Sequence, residues 1–482
     1  MDENQIIENK ELNIWEALLP IIVLVSLLAW NVYVYGDDAL SGSNQFILLI
    51  GAAVAAIVGF MNKVSYTSMI NEVAENLKST TNALLILLLV GSLAGTWMLS
   101  GIIPTLIYGG LQILSPAIFL PASVVICAVI SLATGSSWTT SATVGIALIG
   151  IAKAIGVSSG MAAGAVLSGA YFGDKMSPLS DTTNLAASMA GSELFSHIKY
   201  MSLTTIPTIS VTLIIFIFIS LGISTTGTTD TAQLLTDIEA AYNVNVLLMI
   251  VPIVVIGLIM KKTKPLIALL IGSLLGGVFA LIFQPDLVAK IGGSDTLTFV
   301  SGYRGVMDAL TVSTAVESSN PILSDLFSTG GMSGMMGTIW LIICALVFGG
   351  IMDAIGALQR ISAALLSMAK STFGLFASTV ASCLAINVTA SDQYLAIVVP
   401  GKMFDKAYRD KGLAPENLSR TLEDSGTVTS VLIPWNTCGA YHSGVLGVSV
   451  FDYFIYTFFS YISPFMTLLF AALGIKIKQL ID

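Results

Sequence analysis

Apolar residues in this chain come in long runs rather than at the alternating spacing of a soluble domain. Ala83 to Val90, Val211 to Gly222 and Ile339 to Gly350 are examples. Each sits in a longer low-charge stretch that reaches the ~20 residues a helix needs to cross ~30 Å of hydrocarbon. The pattern predicts spans near 14–35, 46–61, 82–110, 160–195 and 201–222, and again near 245–260, 265–283, 336–358, 418–450 and 453–473. Segments 117–152 and 372–401 are apolar with polar middles, and read as hairpins that enter and leave the membrane on one side. The expected fold class is an all-α polytopic membrane protein of about ten spanning helices plus two opposed re-entrant hairpins, with helices broken at the midplane.

Composition supports the pattern: 55% of residues are hydrophobic and 10% charged, against about 25% charged in soluble domains. The net charge of −9 without a long basic cluster argues against nucleic acid as a partner. Cys127, Cys344, Cys383 and Cys438 all lie in apolar stretches without ligand-like spacing, so they read as core residues rather than a disulfide framework or zinc site. The first apolar run, Ile14 to Trp30, follows an acidic stretch and is too long for a cleavable signal peptide, so it is expected to stay as a span.

Four landmarks recur at nearly one offset. Gly95 and Gly101 match Gly350 and Gly356, Thr134 to Ser136 match Thr389 to Ser391, and Pro178 matches Pro434. Spacing held over so long a stretch points to a duplication. Lys and Arg mark short cytoplasmic loops. Lys63, Lys78, Lys261 to Lys264, Arg360, Lys370 and the group from Lys402 to Lys411 belong inside, whereas Gly36 to Gln45 and Ser224 to Asn243 carry acids but no bases and belong outside. Lys153, Lys290 and Arg304 are misfits in this scheme, the last two in an expected outer loop over 284–335. Five crossings per half is odd, so the halves are inverted. The chain divides into a cytoplasmic tail (1–13), a first repeat (14–222), an external linker (223–244), a second repeat (245–475) and a cytoplasmic tail (476–482), in the cell membrane with both termini inside.

Unwound backbone within a membrane is tolerated only where protein buries it or it lines a watery cavity. Polar breaks at matching places of two halves therefore point to a binding site. They fall at Thr134 to Thr140, Tyr171 to Asn184, Thr389 to Gln393 and Pro434 to Gly439. In "YFGDKMSPLSDTTN", Gly173 and Pro178 are expected to break the helix, Asp174 and Asp181 supply carboxylates, and Ser177, Ser180, Thr182, Thr183 and Asn184 supply the oxygens that Na⁺ prefers. The helix resuming after the break points its amides at the site, which suits an anion, so a cation and a carboxylate are both plausible occupants. The candidate set is Thr134, Ser136, Ser137, Asp174, Ser177, Asp181, Thr182, Asn184, Thr389, Ser391, Asp392, Asp424, Asn436 and Thr437, with Na⁺ on Asp181, Thr182 and Asn436.

The stretches "TGSSWTTSATVGIALIGIA", "SGAYFGDKMSPLSDTTNLAA" and "SRTLEDSGTVTSVLIPWNTCGAY" resemble those of the NhaC-type sodium/proton antiporter family of the ion transporter superfamily, and the likeness covers nearly the whole chain. It implies inverted repeats with opposed hairpins, a scaffold and a transport domain, often a homodimer, and alternating access in which Na⁺ and H⁺ compete for the same carboxylates. Some members of the family exchange organic acids such as malate and lactate, so that exchange is the alternative. No cofactor is expected beyond the transported Na⁺ and H⁺, and the partners are membrane lipid, small cations and, in the alternative, a small carboxylate.

Blander readings stand beside these. Asp174 could pair with Lys175, Glu423 could be a solvated partner of Arg420, and Asp353 could be an interfacial residue. His197 reads as surface and His442 as a proton-relay candidate. The pairs Gly91 with Gly95 and Gly272 with Gly276 permit close helix packing. "GVSSG" at Gly156 to Gly160 has the nucleophile-elbow pattern, but no predicted strand precedes it and the chain has two His, so it reads as a loop and an intramembrane hydrolase is disfavoured. A passive channel would not need paired breaks.

Overall fold

Helices make up nearly all of the computed structural model, which describes residues 12–35, 39, 42–223, 231–261, 263–318 and 320–480. Residues 1–11, 36–38, 40–41, 224–230, 262, 319 and 481–482 lie outside the described residues, and with them most of the expected N-terminal tail and parts of the segments expected outside at 36–45 and 224–243.

The first half contains α1 (Ile14–Tyr35), α2 (Ser43–Met61), α3 (Tyr66–Leu99) and α4 (Ile102–Ile113). Its hairpin has α5 (Pro116–Thr134) as one arm and α6 (Ser137–Thr140) and α7 (Ile146–Ala154) as the other, joined by a π-helical turn at Ser141–Gly145. The broken pair α8 (Ser159–Met176) and α9 (Asp181–Ala190) follows, then α10 (Leu194–Gly222).

The stretch expected as a linker carries a helix, α11 (Thr231–Ala241), and the second half opens with α12 (Ile250–Met260) and α13 (Pro265–Phe283). An insertion then carries α14 (Pro285–Ile291), α15 (Phe299–Thr311), β1 (Thr314–Ala315), α16 (Pro321–Leu326), β2 (Ser328–Thr329) and α17 (Gly331–Gly334), β1 and β2 pairing antiparallel. Next come α18 (Met336–Ala354), α19 (Ala357–Ser367), the hairpin arms α20 (Thr372–Thr389) and α21 (Gln393–Asp410), α22 (Pro415–Leu422) continuing into a π-helical turn at Glu423–Thr427, α23 (Thr437–Leu446), α24 (Val450–Phe454) and α25 (Phe458–Leu473).

Among the described residues eight helices are long and apolar enough to cross a membrane, and a ninth span results if the pair Ala232–Ala241 and Val246–Met260, bent by 83°, is one. The pairs α8/α9 and α22/α23 are not among them: α22 and α23 are too short because the path is broken between them, and α8, though 18 residues long, is rich in Gly and Ser and carries Asp174 and Lys175.

The repeat is visible in local geometry. Gly101 and Gly356 both start a helix in the left-handed region, at φ 81° and 78°. Ser131 donates to the Ala170 carbonyl at 2.6 Å, and 256 positions on Asn387 donates to the Gly426 carbonyl at 2.7 Å. Two different side chains thus tie hairpin to broken helix in the same way.

Packing explains several small residues. A Cβ on Gly95 would lie 1.8 Å from the Ala309 carbonyl oxygen, and one on Gly272 would meet Val255 and Leu93, so α15 and α13 approach α3 only over glycine. The stretch over 284–335 is therefore not a loose outer loop. The small residues Ser301, Gly302, Gly305 and Ala309 give α15 a flat buried face, which the low apolar content of the stretch hid. Gly173 does not break its helix: α8 runs through it, and a Cβ there would stand 2.4 Å from the Ala128 carbonyl oxygen, so the glycine serves the contact with α5. The break comes after Met176, at Pro178.

The solvent pattern is reversed relative to a soluble protein. Ile206, Ile214 and Phe218 of α10 are exposed, while Arg420 and Lys175 are among the largest fully buried side chains. All four cysteines are buried and free.

Candidate functional site

Each half supplies two interrupted helices, and the interruptions meet. In the first hairpin α5 stops at Thr134 because Gly135 turns left-handed at φ 71°, and Ser136 then caps α6 by accepting from the Thr139 amide at 3.2 Å. A Cβ on Gly135 would come within 2.8 Å of the Leu179 backbone, so this tip lies directly against the α8/α9 break. Ser180 caps α9 through the Thr183 amide. In the second half Ser391 takes the position of Gly135, at φ 60°, and Asp392 caps α21 by accepting from the amides of Tyr394 and Leu395 at 2.8 and 3.0 Å. Asn436 caps α23 through the Cys438 amide at 3.0 Å, and the Thr437 amide donates to the Ser391 carbonyl at 2.9 Å.

Residues from the starts of α6, α9, α21 and α23 line one cavity of about 450 Å³. Three carboxylates face it. Asp174 accepts from both the amide and the hydroxyl of Ser137, at 3.0 and 2.6 Å. Asp181 accepts from the Tyr394 hydroxyl at 3.2 Å, and Asp392 is held by its capping bonds. Among its lining residues, Ser79 and Asn82 of α3 and Lys264 just before α13 are exposed and mark its mouth. Helix starts carry partial positive charge, and three carboxylates outweigh it. The lining therefore suits a small cation, or a proton in its place, while its hydroxyls and helix ends can also hold a carboxylate.

Of the residues expected at the site, Thr134, Ser136, Asp174, Asp181, Thr182, Asp392 and Thr437 line this cavity, and Ser137 holds one of its carboxylates. Others close the breaks instead. Ser177 donates to the Leu132 carbonyl at 2.9 Å, and Asn184 donates to the carbonyls of Pro178 and Ser180 at 3.0 and 2.6 Å. Thr389 and Ser391 are buried at the second tip, and their hydroxyls have no partner among the described residues. Asn436 does not join Asp181 and Thr182: its amide donates to the backbone and side-chain oxygens of Asn387, both at 3.1 Å. Asn436→Ala is therefore expected to lower stability by about 1–2 kcal/mol through a lost cap and an unpaired Asn387. Thermal melting of the purified protein reads this, with Na⁺ affinity changed less than melting.

The candidate set left out Gln393, although the Thr389 to Gln393 break includes it, and Tyr394; both line the cavity. The repeat offset could have found them, since they stand 256 positions after Ser137 and Trp138. The pairing is even preserved: Ser137 meets Asp174, and Gln393 meets Ser430 at 3.5 Å, 256 positions after each.

Asp424 lies elsewhere, in a second polar cluster. Its carboxylate forms an ion pair with Lys175, both fully buried, and accepts from Thr204 at 2.9 Å, from Ser463 at 3.0 Å and from Thr467. Lys175 thus answers Asp424 rather than its neighbour Asp174. Glu423 and Arg420 are not a solvated pair. Both are fully buried, and the Arg420 guanidinium lies 4.6 Å from the centre of the Tyr200 ring without a hydrogen bond to any described residue. His197 is not on the surface either: it is buried and shares a 2.7 Å hydrogen bond with the Ser419 hydroxyl. His442 is packed among Trp138, Tyr171 and Tyr441 and does not line the cavity. Asp353 accepts from Gln359 at 2.7 Å at an exposed helix end, as an interfacial residue would.

The sequence model of the Na⁺/H⁺ antiporter family matches residues 169–475. The Na⁺/H⁺ antiporter NhaC of Alkalihalophilus pseudofirmus is 36% identical over 98% of this chain and 98% of its own. NhaC of Bacillus subtilis is 37% identical over 82% of this chain and 85% of its own. The malate-2H⁺/Na⁺-lactate antiporter of Bacillus subtilis is 33% identical over 90% and 88%.

Proposed function

The chain belongs to the Na⁺/H⁺ antiporter family, and from that premise we propose that it exchanges Na⁺ for H⁺ across the cell membrane by alternating access around the cavity described above. The observation that carries this reading is the meeting of three carboxylates from both halves in one cavity: Asp181 and Asp392 at the starts of α9 and α21, and Asp174 near the end of α8, held by Ser137 at the start of α6. Na⁺ is held by Asp181 and Asp174 with oxygens of Thr182 and Tyr394, and a proton takes its place on the carboxylates. Because one occupant excludes the other, the two fluxes are coupled without any covalent step.

The mouth lies beside Lys264, in a loop whose basic residues belong inside, so the cavity faces the cytoplasm. Motion of the two hairpins against α3 and α13 would open it outward. In this scheme both termini are cytoplasmic, the repeats span 14–222 and 245–475, and the protein works as a homodimer in the membrane.

A cavity of about 450 Å³ exceeds what one Na⁺ fills, and Lys264 at its mouth together with four helix starts favours an organic acid as second cargo. The malate/lactate relative supports this alternative. Purified protein in proteoliposomes decides. A Na⁺ gradient alone should drive a pH change on the antiport reading, and dependence of that change on malate or lactate would replace it with acid exchange.

Orientation has its own expected result. Thr236 of α11 is exposed, as is Lys406 of α21, and the native cysteines are buried. Thr236→Cys should react with an impermeant thiol reagent from outside and Lys406→Cys from inside. The reverse pattern would overturn the topology.

A further inference from the structure

Glu423 has no role in the cavity chemistry, yet it is fully buried, and neither of its carboxylate oxygens has a hydrogen bond of normal geometry to a described residue. The charged groups near it are Lys175 and Asp174 from α8 and Asp424 beside it, with the Thr427 hydroxyl one turn on. Arg420, a turn earlier, is turned to the rings of Tyr200 and Phe376. Of the other elements around this turn, α20 brings Cys383 and α21 brings Tyr408, both neutral. From α25 come the Ser463 and Thr467 hydroxyls, which serve Asp424, and the carboxylate of α9, Asp181, faces the cavity. The ammonium of Lys175 is already taken by Asp424. An ionised carboxylate without donor or counter-charge does not persist in such surroundings, so Glu423 holds a proton.

Symmetry indicates that these charges are not required by the fold. The positions 256 residues before Arg420, Glu423 and Asp424 are Gly164, Leu167 and Ser168, and the position 256 after Lys175 is Val431. The same helix path is built in α8 without acids at those places. It is also regular there, whereas the Glu423–Thr427 turn is π-helical, a local widening often found where a helix carries function.

We propose that Glu423 carries a second exchangeable proton, separate from the cavity carboxylates, so that more than one H⁺ moves per Na⁺. Na⁺ arriving at Asp174 places positive charge one residue from Lys175, within the electrostatic reach of Glu423. That charge favours the anionic form of Glu423, whose O–H bond releases H⁺, and Lys175 then stands between two carboxylates. When Na⁺ leaves, the proton returns.

The inference rests on the antiport reading, and the test separates the two. In proteoliposomes of the full-length protein, the Na⁺ gradient that just balances a fixed pH gradient gives the H⁺ to Na⁺ ratio. Glu423→Gln should retain exchange of labelled Na⁺ for Na⁺ and move one proton fewer per Na⁺, while Glu423→Asp should keep the parental ratio. An unchanged ratio in Glu423→Gln, or loss of Na⁺ for Na⁺ exchange along with H⁺ movement, would overturn the proposal. A second measurement on the parental protein covers a variant that does not fold. Dicyclohexylcarbodiimide, an apolar reagent, adds to protonated carboxyl groups, and the O-acylisourea so formed rearranges to a stable N-acylurea. Peptide mass mapping should find it on Glu423 and not on the ion-paired Asp424, and absence from Glu423 sinks the idea. If the parental protein moves no H⁺ with Na⁺, antiport fails, while the label still reports the proton on Glu423.

Discussion

Asp181→Asn should insert and fold normally yet lose Na⁺-driven proton movement by about ten- to a hundredfold. Asp181 is the first residue of α9 and faces the cavity, where its carboxylate accepts from the Tyr394 hydroxyl. An amide keeps the volume and can still accept that bond, so the cost to α9 is limited to the lost attraction between a carboxylate and a helix start, about 0.3–1 kcal/mol. What disappears is the charge. An amide takes no exchangeable proton, and losing a charged interaction of about 1.5–3 kcal/mol corresponds to roughly a ten- to hundredfold change. Asp181→Glu should keep part of the activity with a shifted pH profile, because the carboxylate survives in a displaced position. Proteoliposome exchange across a pH series measures both. Parental rate and pH dependence in Asp181→Asn would move the Na⁺ and proton role to Asp174, which Ser137 fixes in the same cavity.

The largest loss of stability is expected from Asp424→Asn. Lys175 has no exposed side-chain surface, and besides Asp424 its ammonium has only the Ser463 hydroxyl as a hydrogen-bond partner among the described residues, with the Phe459 ring centre 5.6 Å away. Removing the counter-charge leaves a buried cation, which costs about 3–5 kcal/mol, against a total stability of about 5–15 kcal/mol for a typical protein. Lys175→Met should cost less, since Asp424 keeps donors from Thr204, Ser463 and Thr467. Removing both charges with Lys175→Met and Asp424→Leu should recover much of the stability. Melting in detergent, read as loss of the monodisperse species, ranks the three variants. An Asp424→Asn protein as stable as the parent would mean that the pair contributes nothing to the fold.

Much of the architecture was legible because a membrane interior leaves a chain few options. Each span must bond its own backbone, so apolar length alone announces it, and α1, α2, α10 and α13 fall close to where the runs place them. The hairpin tips were legible for the same reason: a polar break such as Thr134 to Thr140 is tolerated only where protein surrounds it. The insertion was not, because α15 packs through Ser301, Gly302, Gly305 and Ala309, residues that look like a loop until their partner is known.

Within the site, the sequence by itself determined the chemistry available: two carboxylates and a row of hydroxyls at one break, repeated in weaker form at the same offset. It could not determine which of them share a space. Asp174, Asp181 and Asp392 meet because two hairpin tips and two broken helices converge there, while Asn436, alike in type and opposite Ser180 in the repeat, is turned to Asn387. Adjacent residues even part company. Asp174 faces the cavity and Lys175 faces Asp424, because consecutive side chains on a helix point about 100° apart and the two flanks of α8 are packed against different neighbours. Distance between residues far apart in the chain is set by packing, and packing is decided by the tertiary structure alone.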